Sequence, residues 1–146
     1  MPRIEFHFNA PDKLAYACRL LRKAVAAGAR VVVLGNASDM ARLDTELWTF
    51  APLEFVPHAR APAPPEVAAA SPVWLTHALD TPLPHQDVLL HLGSDMPIGF
   101  EAFARVIEVV SLDEADRQQA RQRWRGYTEL GLTLLRHDLQ LKESTA

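Results

Sequence analysis

The apolar positions of the chain change their spacing several times within the first forty residues, and each change predicts a different element. Residues 4–8 alternate between apolar and polar side chains, which is typical of a half-buried strand. Apolar positions then recur at helical spacing up to Gly28, with Asn9 or Asp12 as the expected cap. The buried face of this helix would consist of Leu14, Cys18, Leu21 and Val25. A continuous apolar run at residues 31–34 predicts a strand covered on both faces.

The rest of the chain predicts a further series of elements. A turn at residues 35–39 leads into a helix over about 40–48, with Ser38 or Asp39 as its cap. Beyond it, the pattern predicts strands at 73–75, 87–91 and 105–110, a short helix at 100–104, and a long terminal helix from about 113 to 136.

Strands that alternate with helices imply a mostly parallel sheet joined by right-handed crossovers, with helices on both faces. We therefore expect a three-layer α/β fold of Rossmann-like topology. Prolines interrupt every pattern between about residues 57 and 72, so this segment is expected to be a surface loop. The loop would belong to one domain that spans residues 1–146.

Length and composition agree with one domain that has its own core. The chain has 146 residues, of which 49% are hydrophobic. The single cysteine, Cys18, falls in the apolar pattern of the first helix and is expected to be a buried hydrophobe, as in a protein of a reducing cytoplasm. The N-terminus lacks the pattern of a signal peptide, and no stretch approaches the ~20 apolar residues that span a bilayer.

The turns after the predicted strands lack the features of a nucleotide site. Residues 9–12 contain no glycine, and residues 35–39 contain one glycine and no lysine, so helix capping explains these turns better than phosphate binding does. The six histidines show no zinc-ligand spacing, and residues 91–95 lack the elbow of a serine hydrolase. We therefore expect no catalytic residue, metal or cofactor.

A basic row stands out in the predicted terminal helix. Arg117, Arg121 and Arg125 follow one another at i,i+4 spacing, which places them on one helix face with Trp124 beside them. A solvated helix face explains the arginines about as well as a binding site does, but it does not explain the tryptophan. Because the net charge is −3, any anion site must be local, and direct coating of DNA is disfavoured.

A second cluster is large and apolar, and it runs from the end of the second predicted helix into the proline-rich segment. It consists of Leu47, Trp48, Phe50, Leu53, Phe55 and Val56. Core packing is the favoured interpretation, since aromatic residues at the end of an element usually cover a sheet. If the cluster is exposed, it is a docking patch for another protein.

At these two clusters the sequence resembles the chi subunit family of bacterial DNA polymerase III, and the resemblance covers most of the chain. The matching motifs are Arg42-Leu-Asp44-Thr-Glu-Leu47-Trp48, Phe55-Val-Pro57-His58, Asp87-Val-Leu-Leu, and Ala120-Arg121-Gln-Arg123-Trp124-Arg125-Gly-Tyr127 leading to Gly131. The family often has tyrosine at the position of Trp124 and lysine at the positions of Arg117 and Arg125.

The resemblance implies a non-catalytic adaptor of the replisome. Such a protein links the clamp-loader complex, through its psi subunit, to the acidic C-terminal tail of single-stranded-DNA-binding protein. Carried over by position, the tail pocket would consist of Arg121, Trp124, Arg125, Arg117 and Val110. The psi-docking patch would consist of Trp48, Phe55, Leu47 and Val56.

Three alternatives remain open at this point. The apolar patch could dock a DNA-repair helicase in place of psi. The fold alone could support a small nucleotide-dependent or hydrolytic enzyme, although the turns lack the expected glycines. The arginine row could bind DNA directly, and such binding would weaken steeply as salt is added.

Overall fold

The computed structural model describes residues 2–49, 56–79 and 82–140. Within these ranges, seven strands form one sheet in which every pairing is parallel. The strands are β1 (Arg3–Ala10), β2 (Val31–Leu34), β3 (His58–Arg60), β4 (Val73–Thr76), β5 (Val88–His91), β6 (Arg105–Ser111) and β7 (Leu134–Asp138). Their order across the sheet is β3-β4-β2-β5-β6-β1-β7.

Helices cover the sheet on both faces, which confirms the predicted three-layer α/β fold. They are α1 (Lys13–Ala26), α2 (Ala37–Thr49), α3 (Pro65–Ala70) and α4 (Glu114–Glu129), with a short 3₁₀ helix at Phe100–Ala102. No helix in the described part of the chain is long and apolar enough to cross a membrane.

The continuous apolar strands supply two separate cores. Because successive side chains of a strand point to opposite faces, Val31 and Val33 pack beneath α1 and α2, whereas Val32 packs on the other side. Cys18 lies in the first core with no exposed surface, and burial raises the pKa of its thiol to about 11. The cysteine is therefore a packed hydrophobe, as the sequence predicts.

The caps of the first two helices differ in how well the sequence predicts them. The carboxylate of Asp12 accepts a hydrogen bond from the backbone N–H of Ala15 at 3.1 Å, so it caps α1 as expected. Helix α2 begins at Ala37, and its cap is Asn36, whose side-chain oxygen accepts from the N–H of Asp39 at 2.7 Å. The prediction of Ser38 or Asp39 as the cap was wrong, because Asn36 is an equally good capping residue and lies two positions before Ser38.

The segment expected to be a surface loop at about residues 57–72 contains two elements, the edge strand β3 and the helix α3. Strand β3 has three residues and pairs on one side with β4. Helix α3 begins at Pro65, where the missing N–H of proline costs nothing because the first helical N–H groups have no partner in the helix. The prolines therefore limit the length of these elements without preventing them.

The terminal helix is shorter than the predicted one, which ran from about residue 113 to 136. Helix α4 ends at Glu129, and Gly131 then adopts a left-handed backbone with φ of +81°. The N–H of Gly131 donates to the carbonyl of Thr128, and the N–H of Leu132 donates to the carbonyl of Tyr127. This pair of bonds is a Schellman motif, which stops the helix and turns the chain into β7 beside β1.

Candidate functional site

A groove of about 520 Å³ lies between α4 and the strands β1, β6 and β7. It opens on the face of the sheet opposite to α1 and α2. The groove is lined by Phe6, Phe8, Asn9, Val110, Ser111, Arg117, Ala120, Arg121, Trp124, Arg125 and Arg136. The five residues that the resemblance assigned to a tail pocket all belong to this lining.

Helix α4 presents its arginines to the groove because of its periodicity. Its inner face consists of Ala120, Arg123 and Tyr127, which are buried against the sheet. The row of Arg117, Arg121 and Arg125 lies at the edge of that face, one turn apart at each step, and stays exposed. The helix therefore forms a cationic wall beside an apolar floor.

The floor of the groove is aromatic. Trp124 is half-buried, and its ring meets the ring of Phe6 edge-on, with 5.2 Å between the centroids. Phe6 also contacts Tyr127 beneath the helix at 6.0 Å. Phe6 comes from β1, so Trp124 is held in a fixed orientation by the sheet and is not a freely mobile surface aromatic.

The lining of the groove has an excess of positive charge. Among the described residues, no carboxylate lines the groove, whereas four arginines do. One of the four, Arg121, has an acidic neighbour in Glu114, at 3.4 Å between Nη1 and Oε1, but both side chains are more than half exposed. Exposed pairs of this kind contribute little, so Arg121 remains able to exchange its partner for another anion.

A buried ion-pair network holds α4 against the sheet below the groove. Glu108 of β6 has no exposed surface and accepts hydrogen bonds from His91 Nδ1 at 2.7 Å, Arg123 Nε at 3.1 Å and Tyr127 Oη at 2.7 Å. Arg123 also donates to the carbonyl of Ser94 at 2.7 Å. The arginine in the middle of the basic segment is therefore structural.

The electrostatics of this network follow from its burial and its charges. Burial alone would raise the pKa of Glu108, but the neighbouring His91 and Arg123 bring it below the ordinary value, so the carboxylate is charged. Burial and the same carboxylate raise the pKa of Tyr127, which keeps its phenol protonated as a donor. His91 is thus part of the network that holds α4 against the sheet.

The first turn of α4 is anchored by its acidic residues. Asp113 caps the helix through the N–H of Asp116 at 3.1 Å. Asp116 accepts from the N–H of Ser111 at 2.8 Å and from Lys13 Nζ at 3.0 Å. Burial acts to raise the pKa of Asp116, but these donors lower it overall. The acidic start of the helix is accounted for by capping and anchoring.

The residues of the predicted docking patch separate into two environments. Leu47 and Val56 are buried in the core beneath α2, at 2% and 3% exposure. Trp48 is 61% exposed. Phe55, with Phe50 and Leu53, lies outside the described residues. Core packing therefore explains two of the four patch residues, and Trp48 is presented to solvent.

Trp48 rests on a fixed histidine. The ring of His58 meets the Trp48 ring edge-on, with 5.3 Å between the centroids. His58 is held by Asp44 at 2.8 Å from Nε2 and by the carbonyl of Val56 at 2.7 Å from Nδ1. Helix α2 contacts β3 and β4, near one edge of the sheet, whereas the groove lies near the other edge at β7. The two surfaces are therefore well separated.

One group of side chains brings together atoms of the types that ligate metals. Single ligand atoms of Glu5, His7 and His137 lie within 4.8 Å of one another. Glu5 also accepts from both Nε and Nη2 of Arg105, and from Arg3 Nε at 3.1 Å. A divalent cation here would lie beside two guanidinium groups, so the cluster is better described as an ion-pair centre.

Phe6, Phe8 and Arg136 are among the lining residues that the sequence does not reveal. Phe6 and Phe8 alternate in β1 and so share one face, but nothing in the pattern shows that this face borders a groove. Arg136 was assigned to the terminal helix, and its contribution depends on β7, whose residues pair with residues of β1 that lie 130 positions earlier in the chain. The turn at Gly131 is the signal that identifies this strand.

Comparison with known proteins identifies relatives that match most of the chain. The model of the family described as DNA polymerase III chi subunit, HolC, matches residues 1–135. The DNA polymerase III subunit chi of Pseudomonas aeruginosa is 34% identical over 144 residues, which cover 95% of this chain and 98% of the relative. The subunit chi of Haemophilus influenzae is 29% identical, over 75% of each chain, and that of Escherichia coli is 28% identical, over 80% and 79%.

Proposed function

Because the chain belongs to the DNA polymerase III chi subunit family, we propose that it serves DNA replication as a non-catalytic adaptor with two binding surfaces. Membership of the family makes the chain an accessory subunit of DNA polymerase III. The proposal adds what each surface binds. The groove beside α4 binds the acidic C-terminal tail of single-stranded-DNA-binding protein, and the surface at Trp48 binds the psi subunit of the clamp loader.

The observation that carries the first part is the combination, in one groove, of a wall of exposed arginines with an aromatic floor. An acidic tail that ends in an aromatic residue needs three things from its receptor. Its terminal carboxylate needs a guanidinium, its ring needs an apolar pocket, and the acidic residues before it need further cations. The groove contains all three kinds of group.

Each predicted residue has a distinct part in this proposal. Arg121 lies in the middle of the arginine row and receives the terminal carboxylate. Val110, which is 4% exposed, and Trp124 form the pocket for the terminal ring. Arg117 and Arg125, one turn to either side, attract the acidic residues that precede the terminus.

A titration of the isolated tail tests this proposal. We expect a fluorescent peptide with the acidic C-terminal sequence of the cognate single-stranded-DNA-binding protein to bind with micromolar affinity, about −8 kcal/mol. Arg121→Ala should weaken binding at least about tenfold, the effect expected when a hydrogen-bonded ionic contact worth ~1.5 kcal/mol is lost. The matched control is Arg30→Ala, which removes an arginine of the same exposure, 54%, far from the groove.

Two results would overturn the assignment. One is the absence of peptide binding by the wild-type protein. The other is an equal loss of affinity in Arg30→Ala and Arg121→Ala, because that would reduce the effect to net charge. Single-stranded DNA without its binding protein should bind poorly, and tight binding with a steep salt dependence would favour a direct DNA site instead.

The second surface is supported by the 61% exposure of Trp48 and by the fixed His58 beneath it. Large exposed aromatics are typical centres of protein interfaces. We expect Trp48→Ala to lose capture of the psi subunit and to keep binding of the tail peptide. A repair helicase could occupy the same surface, and capture of the helicase but not of psi by the wild-type protein would favour that alternative.

A further inference from the structure

The groove has a second cationic wall, which is formed by the single residue Arg136 on β7 and not by α4. Arg136 lies on β7, where it pairs in register with Phe6 of β1. Residues paired across a sheet project to the same face, so Arg136 emerges on the face that α4 covers. Its guanidinium carbon lies 5.1 Å from the centre of the Phe8 ring and 6.0 Å from that of Trp124.

The two aromatic rings next to Arg136 restrict the orientation of its guanidinium group. Stacking on a ring face orients the planar guanidinium, so less side-chain freedom is lost when it binds an anion. Arg136 makes no ion pair with any residue that the structure describes. It is thus an oriented cation on the lip of the groove, and none of the described residues supplies its counter-ion.

The charges on the two walls indicate which kind of peptide the groove would bind. A single carboxylate bound at Arg121 would neutralise one point on the α4 wall and leave Arg136 uncompensated across the groove. An exposed helix row alone would attract a series of anions along one side of a peptide. Cations on two facing walls favour a segment that carries anions on both sides.

We infer that the groove binds two carboxylates of one acidic peptide at the same time, the terminal one on the α4 wall and a side-chain carboxylate on Arg136. Arg136 is then a specificity-determining residue, because it distinguishes an acidic tail from a neutral peptide that has the same terminal carboxylate and aromatic ring. The inference rests on the proposed function of the groove and adds a second contact to it.

A double-mutant cycle between protein and peptide tests this inference. The probes are two peptides that end in the same aromatic residue with a free carboxylate, one with aspartates before it and one with those aspartates changed to asparagine. Arg136→Ala should weaken binding of the aspartate peptide by roughly fivefold, the upper range for one exposed charge pair. It should leave the affinity for the asparagine peptide unchanged.

Two further variants separate charge from shape. Arg136→Lys keeps the charge and loses the planar group, so its affinity for the aspartate peptide should lie between those of the wild type and Arg136→Ala. Arg30→Ala again controls for net charge and should bind both peptides as the wild type does. The thermal unfolding midpoint of each variant shows whether β7 still pairs with β1.

The possible results distinguish the inference from the proposal beneath it. If the wild type binds neither peptide, both the proposed function and the inference fail. If the wild type binds and Arg136→Ala binds the aspartate peptide equally well, the inference alone fails. It also fails if Arg136→Ala loses the same factor for both peptides, because Arg136 would then shape the groove without contacting a side-chain carboxylate.

Discussion

At the scale of single residues, three arginines of one short basic segment have two different roles. Arg121 and Arg125 face the groove, whereas Arg123 between them is buried at 2% exposure against Glu108. The helical period predicts that Arg123 points away from Arg121 and Arg125, since residues two positions apart lie on opposite sides of a helix. The role of Glu108 could not be predicted. In the sequence it is one polar residue within an apolar strand, 15 positions before Arg123, and nothing in the pattern connects the two.

The network around Glu108 leads to a prediction about stability. Glu108→Gln removes the negative charge beside Arg123 and leaves a buried guanidinium uncompensated. We expect the free energy of unfolding to fall by about 3–5 kcal/mol, the usual cost of removing one partner of a buried ion pair. Urea unfolding followed by circular dichroism measures the change.

Tyr127→Phe provides the matched control for this substitution. It removes one donor to Glu108 and keeps the ring that packs on Phe100 and Phe6. Its cost should be smaller, about 1–3 kcal/mol for one buried acceptor left without a donor. A cost for Glu108→Gln below that for Tyr127→Phe would mean that the network is held by packing and not by charge.

At the scale of elements, the sequence predicts those with a strong and continuous pattern. Strand β2 was placed without error, and the helices α1 and α2 were placed with small shifts in their ends. Strand β3 and helix α3 were missed because they are short and interrupted by proline. Strand β7 was missed because Arg136 and His137 hide its alternation, and pairing with β1 overrides the weak local preference.

The glycine that ends α4, Gly131, leads to a prediction about stability. A methyl group at Gly131 would meet no atom within 4 Å, so the cost of Gly131→Ala comes from its left-handed backbone alone. We expect about 1–2 kcal/mol of destabilisation, since that is the usual cost of a left-handed conformation for a residue with a Cβ. Gly131→Asn should cost less, because asparagine tolerates this conformation better.

Chemical denaturation of the two variants measures both costs. A loss well above 2 kcal/mol in Gly131→Ala would show that the turn does more than end the helix. If Gly131→Ala lost no stability, the Schellman motif would be contradicted, because a residue with a Cβ should be strained in the left-handed conformation that the motif requires.

At the scale of the whole molecule, one ion-pair centre makes stability depend on pH. Burial raises the pKa of Glu5, but the hydrogen bonds and charge of Arg105 lower it overall to about 2, from an ordinary value of 4.5. Burial lowers the pKa of His7 to about 4, from 6.5. Both groups therefore bind protons more weakly in the folded state than in the unfolded state.

The sign of the effect follows directly from these shifts. The unfolded chain takes up more protons at His7 between pH 6.5 and 4, and at Glu5 between pH 4.5 and 2, so the free energy of unfolding falls as pH falls through both windows. In His7→Gln, the decline between pH 6.5 and 4 should be shallower than in the wild type. Urea unfolding at a series of pH values measures the slopes, and identical slopes would contradict the role of His7.

The arrangement of the two surfaces suits an adaptor. The groove lies at the β7 edge of the sheet on the α4 face, and Trp48 lies on α2, which contacts β3 and β4 near the other edge. If the proposed function is correct, one sheet between the two surfaces would let two partners bind without touching each other. The sequence predicted both clusters, but it could not show their separation, because the strand order depends on contacts that are distant along the chain.

The most direct test of the central claim, that the acidic tail binds in the groove beside α4, is a titration followed by NMR of the tryptophan indole N–H groups. The chain has three tryptophans, and they occupy three different places: Trp124 in the groove, Trp48 on the exposed surface of α2, and Trp74 in the sheet. With the tail peptide, we expect the Trp124 signal to shift until it saturates while the Trp48 signal stays in place. A shift of Trp48 with an unchanged Trp124 would contradict the account.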